Sequence, residues 1–387
     1  MRLMADRDEV VARIERGVGA FTAAEWDACA GTGNPFLTHA FLSALEDSGS
    51  VGGRTGWQPL PIRIDGAPDR EDGAAPVAVL PAYAKTHSQG EYVFDHAWSD
   101  AYARAGGDYY PKLQIAVPFT PVPGRRLLTR DPRQAPALIA AAEAVVTGNG
   151  LSSAHATFID EAEVPLFARA GWLTRTDRQF HWHNDGYASF DDFLAALASR
   201  KRKAIRKERE AAVEGLEVRQ IEGRDITEAH WNAFWAFYQD TGSRKWGRPY
   251  LTRRAFSLMS ERMPDSILLF LALRGGRPIA GALNFIGADT LYGRYWGAVE
   301  DVPFLHFELC YYQAIEAAIA RGLARVEAGA QGEHKLARGY VPVATHSAHF
   351  IAHPGLRAAV ADYLESERRA IADNIEFLGE MTPFKKG

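Results

Sequence analysis

Two cysteines, Cys29 and Cys310, are all that 387 residues contain. They stand far apart in sequence, so neither a disulfide framework nor a four-cysteine zinc site is open to the chain. Long apolar runs are missing too. The longest clean one, Ile267–Leu273, is far short of a membrane span. The start, MRLMADRDEVVARIERG, puts charges where a signal peptide needs an apolar stretch. The expectation is a cytoplasmic protein, with peripheral contact at the inner membrane surface left open. Excess positive charge is absent. A formal net charge of -4 argues against a nucleic-acid coat, excludes DNA as an expected partner, and makes any basic site a local one. P-loop, Rossmann fingerprint and nucleophile elbow are all lacking. His181 and His183 alternate as on a strand, but no third ligand stands at metal spacing, so no metal is expected.

What is present is the composition of a soluble globular protein, 47% hydrophobic and 24% charged. The length is too great for one ordinary core and predicts two domains. In the first half a helix is expected over Asn34–Leu45 with Thr38 as a cap. Strands are expected over Trp57–Ile64, Val77–Lys85, Leu113–Phe119 and Ala154–Ile159, with an alanine-rich helix over Pro132–Val146. The second half repeats the order: strands Ile267–Leu273, Ile279–Ile286 and Leu291–Gly297, a long helix from Pro303 to Arg321, then a strand at Arg325–Gly329. A short internal repeat supports two copies. LFARAGWLTRTDRQFHW at 166–182 and HKLARGYVPVATHSAHF at 334–350 share an Ala-Arg pair, a glycine before an aromatic, and a histidine before an aromatic. Gly171 and Gly339 lie 168 positions apart, as do His181 and His349. The pattern breaks near Asn184–Tyr187, so the expected domains are 1–184 and 185–387. Each is a mixed α/β unit with a twisted sheet flanked by helices.

Five blocks carry a resemblance: NPFLTHAFLSALEDSGS, GGDYYPKLQIAVPFTPVPGRRLL, RQFHWHNDGYASFDDFLAALASRKRKAIRKER, LYGRYWGAVEDVPFLHFELCYYQAIEAAI and GAQGEHKLARGYVPVATHSAH. Together they resemble the FemAB-like predicted N-acyltransferases, of peptidoglycan biosynthesis/recognition type, over nearly the whole chain. The resemblance implies two tandem GNAT-like acyltransferase domains and transfer of an acyl group to the amine of a cell-envelope or lipid precursor. True Fem enzymes take an aminoacyl group from tRNA, and some carry a long helical hairpin between their halves. This chain has no room for one, because strands resume by Ile267. Acyl-CoA is therefore the expected donor and tRNA the alternative partner. A non-catalytic module that binds envelope precursors or lipid head groups is a third reading.

N-acyl transfer needs a neutral amine, a positioned carbonyl, donors for the oxyanion and a proton for the leaving group. GNAT-type folds hold the donor's pyrophosphate at the turn before the helix that follows a splayed strand. Here that turn is WGAVEDVPFL, where Glu300 and Asp301 are expected to repel phosphate. The first half's equivalent, TPVPGRRLL, offers Gly124, Arg125, Arg126 and Leu127 and is the better expected cradle. Glu308 is the expected base, with His306 beside it and Glu327 in reserve. Substrate contacts are expected from Gln331, His334, Lys335 and Arg338, a dense polar run beside glycines. Arg294 and Tyr295 are expected to contribute from a strand, and Asp95, Trp98, Tyr110 and Lys112 from a second cluster. Arg202, Arg206 and Arg209 share one face of a basic helix and read as a phosphate clamp or as a solvated face.

Overall fold

The structure is a computed structural model that describes residues 11–66, 75–245, 249–329 and 332–385. The first half contributes nine strands: β1 (Ala12–Ile14), β2 (Trp57–Pro59), β3 (Ile62–Asp65), β4 (Pro76–Leu80), β5 (Ala82–Lys85), β6 (Lys112–Ile115), β7 (Leu128–Thr129), β8 (Ser153–Ile159) and β9 (Leu173–His183). The second half contributes β10 (Glu217–Glu222), β11 (Ile267–Arg274), β12 (Arg277–Ile286), β13 (Thr290–Ala298), β14 (Arg325–Glu327) and β15 (Val341–Ile351).

Two expected strands are each divided in two. Pro61 separates β2 from β3 and Pro81 separates β4 from β5, because proline has no N–H for a ladder. The pieces then part company. β3 and β4 join a small sheet ordered β1-β3-β4-β7, while β2 and β5 join the large one.

The large sheet has 11 strands in the order β10-β11-β12-β13-β14-β9-β15-β8-β6-β5-β2. It runs without a break across the boundary expected near Asn184–Tyr187. In each half a parallel pair sits beside antiparallel strands: β6 with β8, and β13 with β14. The last strand of each half is exchanged. β9 adds to β14 of the second half, and β15 adds to β8 of the first.

The N-terminal segment reinforces the exchange. The ring of Phe36 lies 5.0 Å from that of Phe285 and 5.2 Å from that of Tyr292. Phe36, Phe41 and Trp26 thus share a core with Trp231, Phe234 and Phe256 from the second half. On the other face, the helix Gln313–Ala320 buries Ala314, Ile315 and Ala318 against Leu268, Phe270 and Val326. The expected helix from Pro303 starts at Leu305 and is interrupted by a π-helical segment at Glu308–Tyr312. Such a segment is frequent at functional sites. Among the described residues no helix is long and apolar enough to cross a membrane.

Candidate active site

β13 and β14 pair in register only through Thr290–Arg325, Leu291–Val326 and Tyr292–Glu327. Beyond Glu327 the ladder stops. On the other side of β13, Leu283 pairs Tyr295 and Asn284 pairs Gly293, so Arg294 is a bulge residue. A cavity of about 110 Å³ opens here, lined by Asn284, Gly293, Arg294, Trp296, His306, Cys310, Tyr311, Ala328 and Gly329 among others. Gly293 keeps it clear. A Cβ there would lie 3.3 Å from Asn284 Oδ1 and 3.7 Å from Ala328 Cα. Trp296 and His306 also line a second cavity of about 190 Å³ at the start of the following helix, so the two side chains stand between the two cavities.

Glu327 closes the paired part of β14. It is 7% exposed, and its Oε2 is buried without a hydrogen-bond partner. Burial pushes its pKa up to about 8, against the pull of Arg325 and Arg294. His181, its neighbour on β9, is held down to about 3, by burial first and then by His183 and Arg325. Gln179 Nε2 donates to Pro121 O at 2.8 Å, which turns Gln179 Oε1 toward His181 Nε2 at 3.2 Å. That oxygen only accepts, so the network assigns the proton to Nε2 and leaves a lone pair on Nδ1. Nδ1 lies 3.9 Å from Glu327 Oε1. Lys335, 1% exposed, donates to Gly329 O at 2.7 Å, and burial lowers its pKa to about 7. Arg294 crosses to the first half and donates to Phe119 O at 2.8 Å. Tyr295, on the other face, packs edge-on against Tyr238.

Other expected residues have structural partners. Glu308, 1% exposed, is bound by Arg209 at 2.9 and 3.0 Å and by Gln313 at 2.8 Å. Arg209 also bonds Glu316 and stacks 4.5 Å from the centre of the Phe190 ring. The two therefore tie the basic helix Ser199–Ala212 to the π-helical segment, and Arg209 does not share in a phosphate clamp. Arg206 is exposed and pairs with Asp191, and Arg202 is half-buried. Arg338 stacks on Phe307 and bonds Glu208, and His334 bonds the Tyr311 hydroxyl. His306 packs edge-on against Trp296 at the cavity wall. Gln331 lies outside the described residues.

The turn at Gly124–Leu127 does bind an anion, and the anion is Glu163. Its carboxylate accepts from the amides of Arg126 and Leu127 at 2.8 Å each. The Arg126 guanidinium is fully buried and donates to the carbonyls of Val122, Gly124, Arg125 and Thr157. Arg125 donates to those of Leu127 and Thr129. The chemistry read from the sequence was that of anion capture, but a distant residue of the same chain takes the place. At the second half's turn, Glu300 is clamped by Arg274 and Arg277. Nothing local to WGAVEDVPFL announces those arginines, which come from the β11–β12 hairpin.

The first-half cluster is real and enclosed. Lys112, fully buried, donates to Glu91 at 2.7 Å and to Asp95, and Ser88 bridges it to Tyr110. Asp95 is held low because the Lys112 and His155 charges outweigh burial. His155 meets His349 of β15 at 2.7 Å, and Trp98 packs edge-on against His349. Beside this network lies a larger cavity of about 840 Å³, lined by Trp57, His87, Ser88, Tyr92, Phe119 and Tyr250 among others. Phe119 and Tyr92 connect this cavity to Arg294. Among the described residues no group of three or more His, Cys, Asp or Glu is placed to hold a metal.

Comparison with known proteins adds a family. The FemAB-like model, described as peptidoglycan biosynthesis/recognition, matches residues 17–386. No curated protein matches the chain. The solved structure of FemX aligns with a TM-score of 0.54 at 11% identity, over 88% of this chain and 98% of FemX. The C-terminal domain (DUF2156) of a putative lysylphosphatidylglycerol synthetase from Agrobacterium fabrum aligns with a TM-score of 0.52 at 10% identity, over 88% of this chain and 96% of that domain. At such identities the likeness is one of fold. The mixed α/β structure expected from the sequence is the fold found, and it is shared with FemX.

Proposed function

The chain belongs to the FemAB-like family of peptidoglycan biosynthesis/recognition proteins, and from that premise we propose that it is an acyltransferase acting on the amine of a cell-envelope or lipid precursor. One observation supports this reading above the others. Where β13 and β14 part, the buried carboxyl of Glu327 keeps a free oxygen beside an open cleft, with the lone pair of His181 behind it.

An alkylammonium at neutral pH cannot attack a carbonyl. A carboxyl poised near pH 8 can accept its proton. The neutral nitrogen then forms a C–N bond to the acyl carbon, the bond from that carbon to its carrier breaks, and the proton is available for the leaving sulfur or oxygen. In this reading the acceptor approaches from the 840 Å³ cavity. The donor enters past Trp296 and His306. Acyl-CoA is the donor we favour, its phosphates met by Arg274 and Arg277, which pair with Glu300 at the wall of the 190 Å³ cavity. The exposed Arg200, Lys201, Lys203 and Lys207 on the helix Ser199–Ala212 favour aminoacyl-tRNA as a second reading. In either case the site faces the cytoplasm.

Purified protein, an acyl-CoA series and a lysine-bearing envelope precursor would be incubated together, with free thiol followed against time. Acceptor-dependent thiol release is the expected result. Its absence, with transfer from aminoacyl-tRNA that ribonuclease abolishes, selects the second reading. Absence of both leaves a binding module.

A further inference from the structure

We propose that the space above Gly293, where β13 and β14 part, holds the reacting nitrogen of the amine acceptor, with the side-chain oxygen of Asn284 accepting one of its N–H bonds. This rests on the acyltransferase reading above for the reaction, but not for the binding.

Asn284 stands in an apolar layer. Ala280 and Ala282 share its face of β12, beside Leu268 and Phe270 of β11 and Leu291 of β13, all in the core under the helix Gln313–Ala320. Asn284 itself is fully buried. Its Nδ2 donates to Ala282 O at 3.2 Å, but among the described residues its Oδ1 has no hydrogen-bond partner. A buried polar atom left unpaired lowers stability, so an orphan kept at a cavity wall calls for a partner from outside the chain.

The backbone sets that oxygen at the cleft. The ladder places Asn284 opposite Gly293, next to the bulge, and both residues line the 110 Å³ cavity. The point that a Cβ on Gly293 would occupy lies 3.3 Å from Asn284 Oδ1 and 3.6 Å from the Glu327 carbonyl oxygen. The next atom, Ala328 Cα, is 3.7 Å away. Two oxygens therefore converge on one open point. A carbonyl has two lone pairs, so Glu327 O can take this bond besides any in the ladder.

The number of hydrogens on the ligand atom then decides the fit. A neutral primary amine has two for the two oxygens, and its lone pair is turned away from both, as attack on an acyl carbon needs. An alcohol has one and leaves a buried oxygen unpaired. A quaternary ammonium has none. The site therefore selects primary amines, and nitrogen over oxygen as the atom acylated. About 110 Å³ takes an amino group with the first carbons of its chain, and the rest of the acceptor stays outside.

Thermal unfolding of the full chain at pH 7.5 would be followed against n-propylammonium chloride as the primary-amine probe. Propyltrimethylammonium chloride, 1-propanol and sodium chloride, at matched ionic strength, are the controls. We expect a saturable rise in melting temperature with propylammonium and none with the controls. Asn284→Leu removes the oxygen at nearly constant volume, and Gly293→Ala puts a methyl in the nitrogen's place. Each should raise the half-saturating concentration about tenfold or more. Wild type that responds to propylammonium no more than to propyltrimethylammonium overturns the proposal. So does an unchanged propylammonium response in either variant, and if Asn284→Leu does not fold, Gly293→Ala decides alone. In the thiol-release assay Asn284→Leu should raise the KM of the acceptor and leave that of acyl-CoA. The reverse would assign Asn284 to the donor and overturn the proposal. No turnover enters the unfolding measurement. Failure there leaves the acyltransferase reading standing, and propylammonium binding without thiol release sinks only that reading.

Discussion

Asp177 of β9 and Thr345 of β15 face each other across an antiparallel ladder, and they are the same position of the two repeated halves. Register fixes this. β9 spans Leu173–His183 and β15 spans Val341–Ile351, each shifted from the other by the 168 positions of the repeat. The ladder pairs Leu173 with His349 and His181 with Val341, so its midpoint falls on Asp177 and Thr345. A local two-fold axis runs there. Both residues line a cavity of about 250 Å³ with Arg178, Gln179 and Glu333, and Tyr92 and Phe94 join it to the larger one beside it.

The exchange means that neither half has a complete sheet. Residues 1–184 alone leave β8 without β15, and residues 185–387 alone leave β14 without β9, each an unpaired edge. We expect each half to be insoluble when expressed singly and the two to co-purify as a folded pair when expressed together. Two independently soluble, monomeric halves would contradict the exchanged pairing.

Arg209→Leu leaves the Glu308 carboxylate buried with Gln313 as its remaining partner. Arg209 is partly exposed, which softens the loss. We expect destabilisation of about 1–3 kcal/mol, short of the ~3–5 for a fully enclosed pair. Arg209→Leu with Glu308→Leu should recover most of it. Urea unfolding of the three variants would decide. Wild-type stability in the single variant would mean the ion pair is loosely held.

Much of this was legible beforehand, and the failures have physical causes. The repeat offset of 168 positions relates the two exchanged strands, and Gly171 and Gly339 each end a helix just before one of them, but the strands themselves were not among the expected elements. The pattern of a strand records which face is buried, not which neighbour it pairs with, so the exchange itself was invisible. Gly124–Leu127 was expected to cradle the donor's pyrophosphate, yet Glu163, 36 residues beyond Leu127, already takes its amides by tertiary contact. Glu308 looked like a base because it opens a helix. Only the packing of Ser199–Ala212 reveals that Arg209 already occupies it. Arg274 and Arg277 stand in a plain hairpin, and their pairing with Glu300 depends on the sheet.

Arg274→Gln with Arg277→Gln should weaken acyl-CoA binding without unfolding the protein. Both side chains are about half exposed or more, at 48% and 65%, so their removal costs little stability. It also frees Glu300, adding repulsion to the lost attraction. Isothermal titration should show affinity lower by about 1–3 kcal/mol, with a flatter salt dependence. Equal affinity in the double variant would move the donor's phosphates elsewhere.

Gly293→Val tests the cleft by filling it. Even a Cβ approaches Asn284 Oδ1 to 3.3 Å, and the two further methyls have only the cavity to enter. Circular dichroism should report a folded protein, while acyl transfer should fall at least as far as in Gly293→Ala. Wild-type turnover in the valine variant would place the chemistry outside the cleft.

Glu327→Gln separates catalysis from stability by pH. In the folded protein the carboxyl titrates near 8, against an ordinary value of 4.5. Between those values the folded state holds a proton that the unfolded state has released, so stability falls as pH rises through this window. Glutamine keeps the shape and removes the titration. We expect the variant to melt close to wild type near pH 4.5 and above it at pH 8 to 9. Activity should move the other way. Wild-type kcat/KM should climb toward pH 8 as the carboxylate forms, and the variant should lose about 10²–10⁴ of it. Part of the loss should return at high pH, where the amine is neutral without help. A variant that melts lower than wild type at pH 9 would mean that Glu327 is ionised and paired in the folded state. A variant with full activity would mean that another group takes the proton.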